Sequence, residues 1–221
     1  MGGTTDKGIF ISFEGIDGSG KSTHLRIAAE FLARKGLTVT KTREPGGTKL
    51  AERIRDVLLD NELSGRVTPM AELLLYLASR HQHCEEIIAP RLSAGETVLT
   101  DRFADSSTAY QGGGRGIGLE LVEQLNELVI PRWPDLTIFI DVPVDTALAR
   151  TRGRELDRLE EEGVDFMRTV RAAYIEISEK HPDRFVIVDG TREIEDTSKR
   201  IEEVLTEFLA RRNLLFGGVC K

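Results

Sequence analysis

The sequence predicts an α/β domain, a parallel five-stranded sheet flanked by helices on both faces. Three observations lead there. Short runs rich in Val, Ile, Phe and Thr alternate with longer helical patterns along the chain, which implies βαβ units. The first run leads directly into a glycine-rich loop. No repeat or low-complexity linker divides the 221 residues, an ordinary length for one α/β domain. The whole chain, 1–221, is therefore expected to form a single domain.

Strands are expected over 8–14 (GIFISFE), 38–42 (TVTKT), 97–101 (TVLTD), 136–142 (LTIFIDV) and 184–190 (RFVIVDG), several closing at Gly, Asp or Pro. Amphipathic helices are expected over 23–35, closed by Gly36, and over 48–60, 69–94, 119–129, 165–180 and 194–211. Three segments fit neither pattern: REPGG (43–47), DRFADSSTAYQGGGRG (101–116) and the charged TRGRELDRLEEEG (151–163). Parallel sheets bind ligands beyond the carboxyl ends of their strands, so irregular segments at that edge are the first to inspect.

Composition narrows the partners. The chain carries 30 basic and 37 acidic side chains, a net charge of −7, which argues against nucleic acid. Cys84 and Cys220 have no CxxC or Cys/His spacing and read as free thiols of a reducing compartment. The N-terminal MGGTTDKG lacks the apolar core of a signal peptide, and Asp6 stands where a myristoylation motif wants Ser or Thr. The longest apolar runs are strand-sized, so no membrane span is expected. A soluble cytoplasmic chain is the expectation.

Gly15, Ile16, Asp17, Gly18, Ser19, Gly20, Lys21 and Ser22 match GxxxxGK[ST] in full, after an apolar strand and at the start of a helix. Such a loop aims successive N–H groups inward, and the helix N-terminus adds its dipole, so the segment is a cradle for nucleotide phosphates. Lys21 would reach the β- and γ-phosphates and Ser22 would set its hydroxyl on Mg²⁺, with Thr23 following. Asp17 is out of place beside an ATP phosphate. Pointing away, towards a second ligand's hydroxyl, it favours transfer to a second substrate; the plainer alternative is a solvated loop residue.

Two strand ends offer a magnesium-side acid. Asp141 follows the more apolar run, whereas Asp101 directly precedes Arg102. An Asp-Arg pair at the sheet edge can serve twice, the acid on metal water and the guanidinium gripping a phosphate bidentately. Tyr76 and Arg80 share one helix face at i, i+4.

FEGIDGSGKST, TREPGGT, YLASRHQH, DRFADSSTAYQGGGRG and ELDRLEEEG occur in the order seen in the thymidylate kinases, and the chain resembles that family from residue 9 to about 209. The likeness is to the bacterial type: the P-loop lacks the arginine found there in the yeast and mammalian type, and basic residues stand in the charged segment instead. The resemblance implies a P-loop kinase fold with a short mobile lid at about 151–163, and a homodimer; the residues after the last helix, about 212–221, read as a flexible tail. It implies the reaction ATP + dTMP → ADP + dTDP with Mg²⁺, serving dTTP synthesis. On this reading Asp17 meets the sugar side of dTMP and helps order the magnesium shell, Arg102 holds the dTMP phosphate, and Asp101 the magnesium waters. Tyr76 stacks on thymine, and Arg80 donates to a base carbonyl. Ser107, Tyr110 and Gln111 line the base and deoxyribose pocket, while Arg43 and Glu44 approach the phosphate end. Arg152, Arg154 and Arg158 are the candidates for a lid arginine on the transferring group. Asp157 and Glu160 match acids near substrate and metal, and Arg150 flanks adenine with the loop 190–192.

The chemistry suits that assignment. A phosphate monoester, with a second pKa near 6, is largely ionised at neutral pH and needs no general base. Catalysis then consists of aligning two anions and neutralising their repulsion. His24, His81, His83 and His181 need no catalytic role. The competing readings are a P-loop kinase for another nucleotide or a deoxynucleoside, whose hydroxyl would require a strand-end base, and a P-loop ATPase or GTPase switch. The NKxD-type guanine signature of a GTPase is absent.

Overall fold

The computed structural model describes residues 8–153 and 158–212. Five strands form one wholly parallel sheet: β1 (Ile9–Glu14), β2 (Val39–Arg43), β3 (Thr97–Asp101), β4 (Leu136–Asp141) and β5 (Phe185–Asp189), in the order β2-β3-β1-β4-β5. β1 lies at the centre, so the loop leaving its carboxyl end opens where the strand order diverges to either side, the usual ligand position in such sheets. The register pairs Phe13 with both Asp101 and Ile138. That brings the ends of the first, third and fourth strands to one edge.

Alternation along β1 sorts its side chains. Ile9, Ile11 and Phe13 join Leu25 and Leu32 of helix α1 (Lys21–Arg34) and Ile201 and Leu205 of α9 (Ile194–Arg211) in the core on one face. Phe10 faces the opposite layer with Cys84, Ile88 and Phe103. Burying each such large side chain is worth roughly 1.5–3 kcal/mol. The same parity places Ser12 and Glu14 on the Phe10 side, where both are wholly buried.

Helix α2 (Lys49–Leu59) is capped by Thr48, whose hydroxyl accepts from the Ala51 N–H at 3.2 Å. The pattern expected over 69–94 is broken into α3 (Pro69–His83), a widened turn (Cys84–Ile88) and α4 (Ala89–Ser93). Pro90 explains the break. It has no N–H, and its ring would clash with the carbonyl four residues back, so the Ala89 N–H bonds instead to Cys84 O, five residues away.

Two helices were not anticipated. Residues 101–116, expected to be irregular, hold α5 (Ala104–Ser107) followed by a widened helical segment (Thr108–Gly114). The segment packs on α8 (Val164–Lys180) so closely that a Cβ on Gly113 would lie 2.6 Å from Ala173 Cβ. Glycine there serves contact, not disorder. The second is α7 (Val144–Thr151), after β4; Gly18 of the phosphate loop abuts it, where a Cβ would stand 2.3 Å from the Ala147 carbonyl. Helix α6 (Leu119–Glu127) completes the set. Among the described residues no helix is long and apolar enough to cross a membrane.

Candidate active site

Residues 15–22 leave β1 and enter α1 with Gly15, Gly18 and Gly20 at φ 148°, 85° and 90°, values that L side chains rarely adopt. Gly20 is the N-cap of α1, so the first N–H groups of the helix open onto the loop. Lys21 is 7% exposed, and its ammonium meets Asp17 Oδ1 at 2.9 Å. The Ser22 hydroxyl donates to the Asp101 carboxylate across the sheet edge. Asp141, the other strand-end acid, is instead paired bidentately with Arg171 at 2.6 and 2.8 Å. A hydroxyl and a carboxylate side by side fit the sparse, hard-oxygen set that Mg²⁺ takes from proteins. Arg150 ties the cradle down, donating to Gly190 O at 2.9 Å and Gly18 O at 3.4 Å.

Arg102 reaches the same acid from the other side. One nitrogen of its guanidinium, Nη2, lies 2.8 Å from each Asp17 oxygen, and the ring of Tyr110 lies beneath the guanidinium at 4.8 Å. Its backbone is left-handed, φ 69°, which costs a non-glycine residue about 1–2 kcal/mol. Three hydrogen bonds hold that conformation. Arg102 N donates to Phe13 O (3.0 Å), Thr100 Oγ1 to Arg102 O (2.8 Å), and Phe103 N to Glu14 Oε1 (2.7 Å). Glu14 also accepts from Ser106 (2.6 Å) and Tyr174 (2.9 Å), the hydroxyls that flank the guanidinium.

The electrostatics follow from this packing. Burial would raise the Asp17 carboxyl, but Arg102 foremost and then Lys21 hold it well below the usual carboxylate range. Burial opposes the charge on Arg102, yet Asp17 keeps it firmly cationic. For Glu14 burial, reinforced by the charge of Asp105, pushes the carboxyl up to about 8. Tyr110 and Tyr174 are raised above the ordinary phenol chiefly by burial and stay neutral hydroxyls.

An open cleft begins at Asp17 and Arg102 and runs out between α2, α3 and the segment after β3. Tyr76, Tyr110, Ser107 and Gln111 line it, as the sequence led us to expect. The Ser107 hydroxyl is buried and finds no partner among the described residues. Glu44 also lines the cleft, whereas Arg43 does not: strand parity turns Arg43 to the surface, where it pairs with Glu52 at 2.7 Å. Arg80 stands behind the wall rather than in it. It is 1% exposed and donates to Glu44 (2.7 Å), Asn126 (2.7 Å) and Phe103 O (3.1 Å). Glu44, far away in sequence, thus helps hold the guanidinium in place behind the cleft.

Of the lid arginines, Arg152 is exposed at the end of α7, and Arg158 is buried against Leu58 O (2.9 Å) and Glu72 (2.7 Å), away from the cradle's own hydrogen bonds. Arg154 and Asp157 lie outside the described residues, as do the Glu160 side chain and Cys220. The Cys84 thiol is buried. Sequence reasoning missed Arg55, which lines the cleft and donates to Pro45 O at 3.0 Å, and Glu14, Ser106, Tyr174 and Glu72. Arg55 lies four residues before Leu59, which also lines the cleft, a helical spacing that could have found it.

A glycine-rich cradle after the central strand, faced by a second cation-lined cleft, is the architecture of the P-loop kinases. The thymidylate kinase family model matches residues 13–201. The thymidylate kinase of Thermosipho africanus (strain TCF52B) is 48% identical over 202 residues, 91% of this chain and 99% of its own length. That of Geobacter sp. (strain M21) is 47% identical over 206 residues, covering 90% and 91%. A crystal structure of thymidylate kinase from Ehrlichia chaffeensis superposes with a TM-score of 0.73 at 37% identity, over 90% of this chain and 98% of that one. The chain belongs to the thymidylate kinase family.

Proposed function

We propose that the chain transfers the γ-phosphoryl group of Mg-ATP to the phosphate of dTMP, giving ADP and dTDP. The observation that carries this is Asp17, held at once by Lys21 of the donor cradle (2.9 Å) and Arg102 of the cleft (2.8 Å). Two cations that share one carboxylate can hold two phosphates in line at the same spot, where proximity and charge neutralisation supply the rate. The dTMP phosphate takes the Arg102 guanidinium, with Arg55 as a second cation at the cleft wall. Asp17, displaced from both cations, turns to the sugar side. Tyr76 stacks on the base, and Ser107, Tyr110 and Gln111 meet the nucleoside, while Glu44 lies towards its phosphate end.

ATP lies in the loop 15–22 with Thr23, its adenine beside Arg150. Ser22 and Asp101 would hold Mg²⁺, and Glu160 would approach it. The metal supplies neutralisation of the phosphate charge. The segment at about 151–163 acts as a lid, and Arg152 and Arg154 are its candidates for contact with the transferring group. A single cytoplasmic domain, 1–221, working as a homodimer completes the reading. A nucleoside acceptor would need a general base in the cleft. Glu44 is the one acid there besides Asp17 among the described residues, and both its oxygens are engaged, by Arg80 (2.7 Å) and His83 (3.0 Å).

Coupled ADP release with Mg-ATP and dTMP, dUMP, UMP, thymidine or no acceptor tests the proposal. Turnover dependent on dTMP, weaker with dUMP and near background with UMP, is expected. Turnover with thymidine but not dTMP, or equal hydrolysis in every well, overturns it.

A further inference from the structure

Glu72 is wholly buried, on α3, four residues before Tyr76 and eight before Arg80, hence on the face that backs the cleft. Its Oε1 accepts from Gln111 Nε2 (2.9 Å) and Arg115 Nε (3.1 Å), its Oε2 from Arg115 Nη2 (3.1 Å) and Arg158 Nη1 (2.7 Å). Two of these donors lead to the same short stretch of chain. Arg158 belongs to it, and Arg115 carries on to Glu162 at 2.6 Å. Arg158, 2% exposed, also donates to Leu58 O at the end of α2 (2.9 Å). Its neighbour Leu159 packs with Leu58 and Tyr76 and lines the cleft. One buried carboxylate thus fixes both Gln111 in the wall and the segment 158–162, which adds Leu159 to the lining.

We propose that Glu72 and Arg158 form a positioning pair for the acceptor, which seats Leu159 as the roof of the nucleoside cleft, and that Arg158 is therefore not the arginine that meets the transferring phosphoryl group. The inference rests on the dTMP reading given above and divides the lid arginines by task. Two of Arg158's nitrogens are spent on Glu72 and Leu58, both on the acceptor side. An arginine stabilising the transition state acts on kcat, whereas a residue that builds the acceptor cleft acts on dTMP capture.

The test compares steady-state kinetics of the full chain with Arg158→Met, Glu72→Gln and the double variant. Each single change is expected to raise KM for dTMP roughly tenfold, with kcat within about threefold and KM for ATP unchanged. The double variant should be no worse than Glu72→Gln alone, since both changes break one contact. A fall of about a hundredfold or more in kcat for Arg158→Met at saturating substrates, with both KM values unchanged, overturns the inference. Absence of dTMP-dependent turnover in the unmodified chain overturns the functional reading and the inference with it. Should the variants melt below assay temperature, hydrogen exchange of the unmodified chain decides. Amides of 158–162 gaining protection with dTMP alone support the pair; protection with ATP alone and none with dTMP overturns it.

Discussion

Single residues account for the site's chemistry. Arg102 works as a planar fork fixed by a left-handed backbone and by hydroxyls on either side, so a lysine cannot replace it. Arg102→Lys should lower kcat/KM for dTMP by about 10²–10³ while leaving KM for ATP unchanged, measured with either substrate varied. Glu14 and Asp17 make opposite contributions to the pH dependence of stability. Glu14 is raised from 4.5 to about 8, so the folded chain keeps a proton that the unfolded chain releases between those values. Stability therefore falls as pH rises through that window. Glu14→Gln should flatten the decline in melting temperature between pH 5 and 8. Asp17 is lowered from 3.8, so its contribution is present above that value and is lost as pH falls below it. Asp17→Asn should remove that share of the acid-side loss, read from melting curves at pH 2–4.

At the level of elements, the close contact between Thr108–Gly114 and α8 decides how the cleft is built. Gly113→Ala must push the two apart, because the new methyl would meet Ala173 Cβ at 2.6 Å. About 1–3 kcal/mol of stability should be lost, checked by urea unfolding, with weaker dTMP binding as the wall shifts. These elements also show what the sequence could and could not disclose. All five strands were legible to within a residue or two, since their apolar runs are bounded by turn formers. The helix at Ala104–Ser107 was not, because the glycines that follow it speak against helix locally and are required by a partner some sixty residues further along the chain. Strand parity was readable in principle. It puts Glu14 on the Phe10 side and separates Glu44 from Arg43, whereas the claim of Glu44 on Arg80 depends on a contact that no local pattern encodes.

Viewed as a whole, the molecule leaves an apolar surface that its own core does not use. Leu50 and Val57 of α2, Met70 and Leu74 of α3 and Leu121 of α6 are each more than two-fifths exposed. Apolar side chains presented by adjacent elements suit the homodimer proposed above. Leu74→Glu, a change on the surface of α3, should convert dimer to monomer in light scattering without lowering the melting temperature of the monomer appreciably. The carboxylate shared by Lys21 and Arg102 affects how the resting molecule meets its surroundings. Two bare cations in a cleft would act as an anion sink, filled by whatever sulfate or free phosphate the medium supplied. With a tethered occupant already in place, an incoming oxyanion must exchange rather than simply enter, and a ligand that brings a nucleoside along with its phosphate has the extra contacts to win that exchange. Sulfate and free phosphate are therefore expected to inhibit dTMP-dependent turnover only weakly, which titrating each into the ADP-release assay checks.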